Sequence, residues 1–219
     1  FDATRPTSKN WSTDPYFFEG SGRMWTLSVL QDIPGLIERL GGPETFIEFL
    51  DTFFEKHIFK WKETILHIPV LYHYAGRPDL SAAQVRRQLT RYSLGHHGIP
   101  DNEDMGSNSA FFVASAIGLF PMLGQSYYLL LPPLFPEITL HVGPDRLPLR
   151  IRCEGKVESP DPVIRDAQWN GVPHPESWIE HRELVRGGEL VLTLGNARGD
   201  WGKHSPQEQD ESFGAGQTN

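Results

Sequence analysis

The sequence predicts a mainly helical region followed by a smaller unit of antiparallel strands. Two observations carry that expectation. Up to about residue 122, apolar residues recur at three- and four-residue spacing between Gly and Pro stops. After it, short β-rich runs alternate with Pro/Gly turns. The expected layout is a helical portion over 1–122, a β unit over 123–203 and a disordered tail over 204–219.

Residues 1–15 are polar and rich in turn formers, which suits an extended lead-in. Trp25, Val29, Leu36 and Leu40 then recur at near-helical spacing. Pro34-Gly35 interrupts this run, so two short helices are expected, the second stopped by Gly41-Gly42. Pro43 and Glu44 open another helix, with Pro in the first turn and an acid near the positive end. Phe46, Phe49, Leu50, Phe53 and Phe54 fall on one face of it. Glu63 to Tyr74 is a further helix candidate, closed by Gly76 and Pro78. Ser81 reads as the N-cap of a helix from Ala82 to Tyr92, and an apolar helix is expected from Ser109 to Leu119. The expected strands are Tyr127–Leu131, Glu137–Val142, Leu147–Cys153, Val163–Trp169 and Glu189–Leu194. Asn170-Gly171 signals a hairpin turn.

Composition narrows the function classes. Of 219 residues, 38% are hydrophobic, with six Trp and thirteen Phe, which is enough apolar surface for a packed core. The formal net charge is −8, and no Lys/Arg run marks a nucleic-acid or polybasic membrane surface. No apolar run approaches the roughly 20 residues of a membrane-spanning helix. The single cysteine, Cys153, allows no intrachain disulfide, and no Cys/His zinc spacing exists. The chain opens on Phe1-Asp2-Ala3, neither an initiator Met nor a signal peptide, and reads as starting in the middle of something larger or after processing.

The densest chemistry lies in Gly98-Ile99-Pro100-Asp101-Asn102-Glu103-Asp104-Met105-Gly106, where three carboxylates and an amide sit in four residues. Such a cluster attracts hard cations; a solvated acidic turn is the alternative. The spacing of an EF-hand calcium loop is absent. His96-His97 immediately precede the loop and could line a pocket or remain solvated. A second feature is Tyr16-Phe17-Phe18-Glu19-Gly20, an acid set directly after aromatics. An apolar setting suits a general acid; a surface loop Glu is the alternative. One acid in an aromatic setting and one in a polar loop form the pair that a glycosidase requires. Flat aromatic rings also stack on pyranose faces, while His73 reads best as a packed, hydrogen-bonded histidine. Trp169, Trp178 and Trp201 read as packing residues of the β unit.

These segments together resemble glycoside hydrolase family 92. The acidic loop, with Ser109-Ala110-Phe111-Phe112-Val113 and Ala116-Ile117-Gly118-Leu119-Phe120-Pro121 after it, looks like the family's catalytic-loop signature. Glu19-Gly20 followed by Trp25 looks like its aromatic E-G motif, and Leu71-Tyr72-His73-Tyr74-Ala75-Gly76-Arg77-Pro78 like its Y-N/H-Y-x-G-x-P segment. Pro132-Pro133-Leu134-Phe135-Pro136 fits the stretch that follows. The matches run in the family's order over roughly residues 16–202, with a flavour similar to fungal secreted members.

The resemblance implies the second half of an (α/α)6 barrel, with C-terminal strands belonging to a partial β-sandwich and an N-terminal β-sandwich domain outside this chain. It implies an inverting, secreted exo-α-mannosidase that uses Ca2+ to bind and distort a terminal mannose. The first expectation for its substrate is α-1,2-linked mannose on N-glycans or mannans. By the same carry-over, Glu19 is the general acid, Asp104 the general base, and Asn102 supports the base. Trp25, Glu103, His96 and His97 are the substrate-binding candidates, and Glu63 and Asp104 the metal candidates. Asp32 matches the last residue of a P-H-D segment, with Gln31 in place of the His.

Two departures matter. The family's N-E-P calcium segment reads Lys62-Glu63-Thr64, so a cation with no lone pair stands where a neutral oxygen donor is expected. Met24 replaces a polar residue of the E-G segment. They leave open a second function, a degenerate mannoside-binding or interaction module without turnover. Weak or no hydrolysis is expected of the isolated chain, since half a barrel exposes helix faces.

Overall fold

A computed structural model of the protein describes residue 17, residues 20–56 and residues 63–206, the side chain of Glu63 excepted. Helices come first and strands after. The helices are α1 (Gly22–Thr26), α2 (Ile33–Arg39), α3 (Pro43–Lys56), α4 (Pro78–Leu89) and α5 (Ser107–Ile117). Then follow β1 (Leu119–Pro121), β2 (Tyr127–Leu130), β3 (Glu137–Val142), β4 (Leu147–Glu154), β5 (Val163–Trp169), β6 (Val172–Pro173), β7 (Trp178–Glu180), α6 (His181–Leu184) and β8 (Gly188–Gly195).

The first two helices break elsewhere than at Pro34-Gly35. That pair lies inside the first turn of α2, where a missing proline N–H costs nothing. Asp32 starts the helix by accepting from Gly35 N at 2.9 Å, and Ser21 does the same for Met24 N at 3.3 Å in α1. α3 begins at Pro43 as expected, and Phe46, Leu50 and Phe53 are fully buried along its inner face. Phe54 turns partly outward and stacks on Tyr72 with ring centroids 6.4 Å apart.

The segment expected as a helix from Glu63 to Tyr74 consists of two runs of tighter 3-10 turns, Glu63–Ile65 and Ile68–Ala75. The cause is local: Val70 N bonds His67 O at 3.1 Å around Pro69, closing a three-residue turn. Every residue from Ile68 to Tyr74 is buried, so this run threads the core. It ends on the paired bonds Arg77 N to Tyr72 O and Gly76 N to His73 O, a Schellman cap with Gly76 left-handed.

α4 starts three residues before the expected cap. Ser81 is inside the helix, and its hydroxyl pairs with His73 Nδ1 at 2.8 Å instead. The other ring nitrogen of His73 bonds Leu130 O at 3.1 Å, which ties the threaded run to β2.

The three-stranded sheet β1-β2-β7 divides two hydrophobic cores. Side chains alternate across a strand, and here both faces are apolar. Phe120, Tyr127, Leu129 and Trp178 join the helical core with Phe46, Phe53, Leu71 and Phe111. Their neighbours Leu119, Leu130 and Ile179 join a second core with Leu149, Ile151, Leu190, Leu192 and Trp201. Trp169 packs partly buried against that second core. The strands β1 and β7 are short additions to those expected, as is β6.

The five-stranded sheet has the order β3-β4-β8-β5-β6. β3 and β5 have the expected bounds, and Asn170-Gly171 turns β5 into β6 with both residues at positive φ, 51° and 79°. One expectation is corrected: the sheet is mixed. β8 inserts between β4 and β5, antiparallel to β5 but parallel to β4. Between β4 and β8 the chain passes through β5 to α6, the long crossover that a parallel pair requires. Beyond Gly202, Ser205 and Pro206 are still buried, so packing extends past the expected end; residues 207–219 lie outside the described residues.

α5 closes at Gly118, whose φ is 80°. A Cβ there would meet Leu131 O at 2.5 Å, in the place where Leu131 N bonds Gly118 O at 3.0 Å. Gly118→Ala is therefore expected to destabilise the protein by about 1–3 kcal/mol. Urea unfolding with an unchanged m-value would check it; an unchanged midpoint would refute it.

Candidate active site

The acidic loop leads into α5, whose first turn offers free N–H groups to negative charge. Glu103 takes that position. Its Oε1 and Oε2 accept from Ser109 N at 3.0 and 3.3 Å, so the carboxylate proposed for substrate caps the helix. Asp104 opens the single 3-10 turn Asp104–Gly106, and both it and Asn102, two positions earlier, are exposed. The non-glycine residues Asp101 and Met105 are both left-handed, with φ of 55° and 54°. Such backbone persists only where the surroundings hold it.

What holds it is Asn108, a residue the sequence reading missed. Asn108 is fully buried in the first turn of α5. Its Nδ2 donates to Pro100 O at 3.0 Å and to Asn102 O at 2.5 Å. Tyr92 donates its hydroxyl to Asn108 O at 2.7 Å, and its ring packs on Phe112 with centroids 4.9 Å apart. Burial, with the charge of Glu103 second, pushes the Tyr92 hydroxyl far above its ordinary pKa, so it stays a donor. The available signal was a short amide placed directly after a loop of unpaired carbonyls.

The other candidates lie on separate pieces. His96 and His97 are exposed at the tip of a tight turn closed by Ser93 N to Gly98 O at 2.9 Å. Trp25 is half-buried on α1. Met24, which stands where the family has a polar residue, is buried in the helical core. Asp32 is committed to the start of α2. Glu19 and Lys62 lie outside the described residues, as does the side chain of Glu63.

Asp104 is the one metal candidate whose side chain is described, and among the described residues no three His, Cys, Asp or Glu side chains gather to hold an ion. These residues do not fit calcium by themselves.

The catalytic-domain model of glycosyl hydrolase family 92 matches residues 2–196. The chain belongs to that family. An uncharacterized secreted glycosidase of Arthroderma benhamiae is 33% identical over 193 residues, covering 86% of this chain and 25% of the relative. Among solved structures, a family 92 inverting mannosidase from Bacteroides thetaiotaomicron VPI-5482 matches with a TM-score of 0.76 and 28% identity. It covers 86% of this chain and 29% of its own. A family 92 α-mannosidase from Bacteroides thetaiotaomicron matches with a TM-score of 0.75 over 85% of this chain and 26% of its own; at 21% identity it speaks for the fold alone. The chain thus spans between a quarter and a third of the length of these three proteins. Among the described residues, no helix is long and apolar enough to cross a membrane.

Proposed function

We propose that this chain is the C-terminal part of a secreted, inverting exo-α-mannosidase acting on mannose-containing oligosaccharides. The observation that carries the reading is the family match over residues 2–196, which includes the whole acidic loop. The 28% identical inverting mannosidase supports the stereochemistry, and the secreted glycosidase supports the location. The helices would form part of an (α/α)6 barrel completed by the rest of the protein, which would include an N-terminal β-sandwich domain. In this reading the chain divides into a helical portion over 1–122 and a β unit over 123–203, with the sheet β1-β2-β7 crossing that boundary and its side chains shared between the two cores.

In this reading Glu19 protonates the leaving oxygen, and Asp104 takes a proton from water on the opposite face of the sugar. Inversion requires the two carboxyls about 6.5–9.5 Å apart, with room for that water. Exposed Asp104 has the access to solvent that a base for water needs. Asn102 stands two positions before it, with Trp25, His96 and His97 as the candidates for sugar contacts. If calcium takes part, Glu63 and Asp104 are its candidates in this chain.

The test uses the full-length protein with α-1,2-linked mannobiose, followed by proton NMR. β-Mannose should appear first and then mutarotate; α-mannose first would overturn inversion. Lys62 in the family's calcium segment favours the second reading, a mannoside-binding module without turnover. Calorimetric binding of mannobiose with no mannose released would select it.

A further inference from the structure

The hydrogen bonds of Asn108 converge on one short stretch of backbone. An amide nitrogen carries two hydrogens, and Asn108 spends both on the carbonyls of Pro100 and Asn102. Turning the amide over would set Oδ1 against the same two carbonyl oxygens, so its orientation is fixed. The Tyr92 hydroxyl donates to the backbone carbonyl of Asn108 and so anchors the residue that carries the clamp. Beyond the clamp come Glu103, held by Ser109 N, and then exposed Asp104. The left-handed residues Asp101 and Met105 flank this segment, so the chain would relax elsewhere if released.

We propose that Asn108 is a positioning residue for the reaction: its buried amide clamps the backbone at 100 and 102 and thereby sets the carboxylate of Asp104 toward the attacking water. The assignment rests on Asp104 being the base. It concerns a side chain that touches no substrate and acts only through the loop.

Asn108→Asp in the full-length protein tests it, because the carboxylate keeps the size of the amide and loses both donors. Hydrogen exchange should rise at least tenfold at the amides of Gly106 and Ser109, which donate to Glu103, and stay unchanged along α3 and β8. A shift of about 1 Å in a reacting group can cost on the order of a hundredfold, so kcat should fall about ten- to a hundredfold. KM should change little, since the loss is confined to the transition state. Tyr92→Phe should give the same signature at smaller size, which keeps the test open if Asn108→Asp does not fold. Parental exchange at Gly106 and Ser109, or an intact kcat with a loosened loop, would overturn the proposal. A parent protein that releases no mannose would remove the base assignment, and the exchange result would then decide the clamp alone.

Discussion

Asp104→Asn in the full-length protein is expected to lower kcat on an α-mannoside by about 10²–10⁴-fold, the range for loss of a positioned general base. KM should change little, because the amide keeps the shape and loses only the ability to take a proton. The fold should be untouched: Asp104 is exposed at the start of a single 3-10 turn, and the loop is held by Asn108 and Glu103. Asp101→Asn supplies the control, an isosteric change three residues away in the same loop, and should leave kcat within a few-fold of the parent. Equal losses in both variants would point to loop damage, and a kcat for Asp104→Asn close to the parent's would remove Asp104 from the base role.

The candidate site was legible where its chemistry is contiguous in sequence. The run from Asp101 to Asp104 stands out because three carboxylates crowd four residues, and Asp104 does sit exposed at the mouth of α5. The division of labour inside the run was not legible. Whether Glu103 faces solvent or caps α5 depends on the turn at Met105, a left-handed residue that no propensity marks. Asn108 was hard to read for a related reason: its buried Nδ2 pairs with carbonyls six and eight residues away, a relation that periodicity does not report.

The fold shows the same divide between local and tertiary causes. α3, β3 and β5 follow local signals: Pro43 at a helix start, alternation in Glu137–Val142, and an Asn-Gly turn after Trp169. Ser81 misled because its hydroxyl was committed to His73 rather than to a helix end. The parallel pairing of β4 with β8 was out of reach, since strand patterning names the buried face and says nothing of the partner. The three-stranded sheet is the clearest case. Its strands are short, and each is buried on both faces because a core lies on either side.

His73 makes that wall sensitive to acid, and the protein is expected to lose stability as pH falls from about 6.5 toward 4. A carbonyl only accepts, so Nε2 carries the hydrogen that goes to Leu130 O, and Nδ1 accepts from the Ser81 hydroxyl. The neutral ring is thus satisfied, and burial lowers its pKa to about 4 against the weaker opposing pull of the Leu130 and Val70 carbonyls and Asp79. His67 behaves alike: burial lowers its pKa, outweighing the bond to Leu27 O at 2.9 Å. Its Nδ1 has no partner among the described residues, so a second proton there would be buried without an acceptor. Both folded-state values lie below the unfolded one, so below pH 6.5 the unfolded chain binds more protons and stability falls with pH. The slope from His73 approaches about 1.4 kcal/mol per pH unit, which amounts to on the order of 3 kcal/mol by pH 4, and His67 adds in the same direction. Chemical denaturation at steps from pH 7.5 to 4 would measure it, with His73→Gln in parallel. The glutamine can still donate to Leu130 O but does not titrate, so its curve should lose on the order of 3 kcal/mol of the fall between pH 6.5 and 4. Parallel curves for the two proteins would show that His73 does not couple the wall to pH.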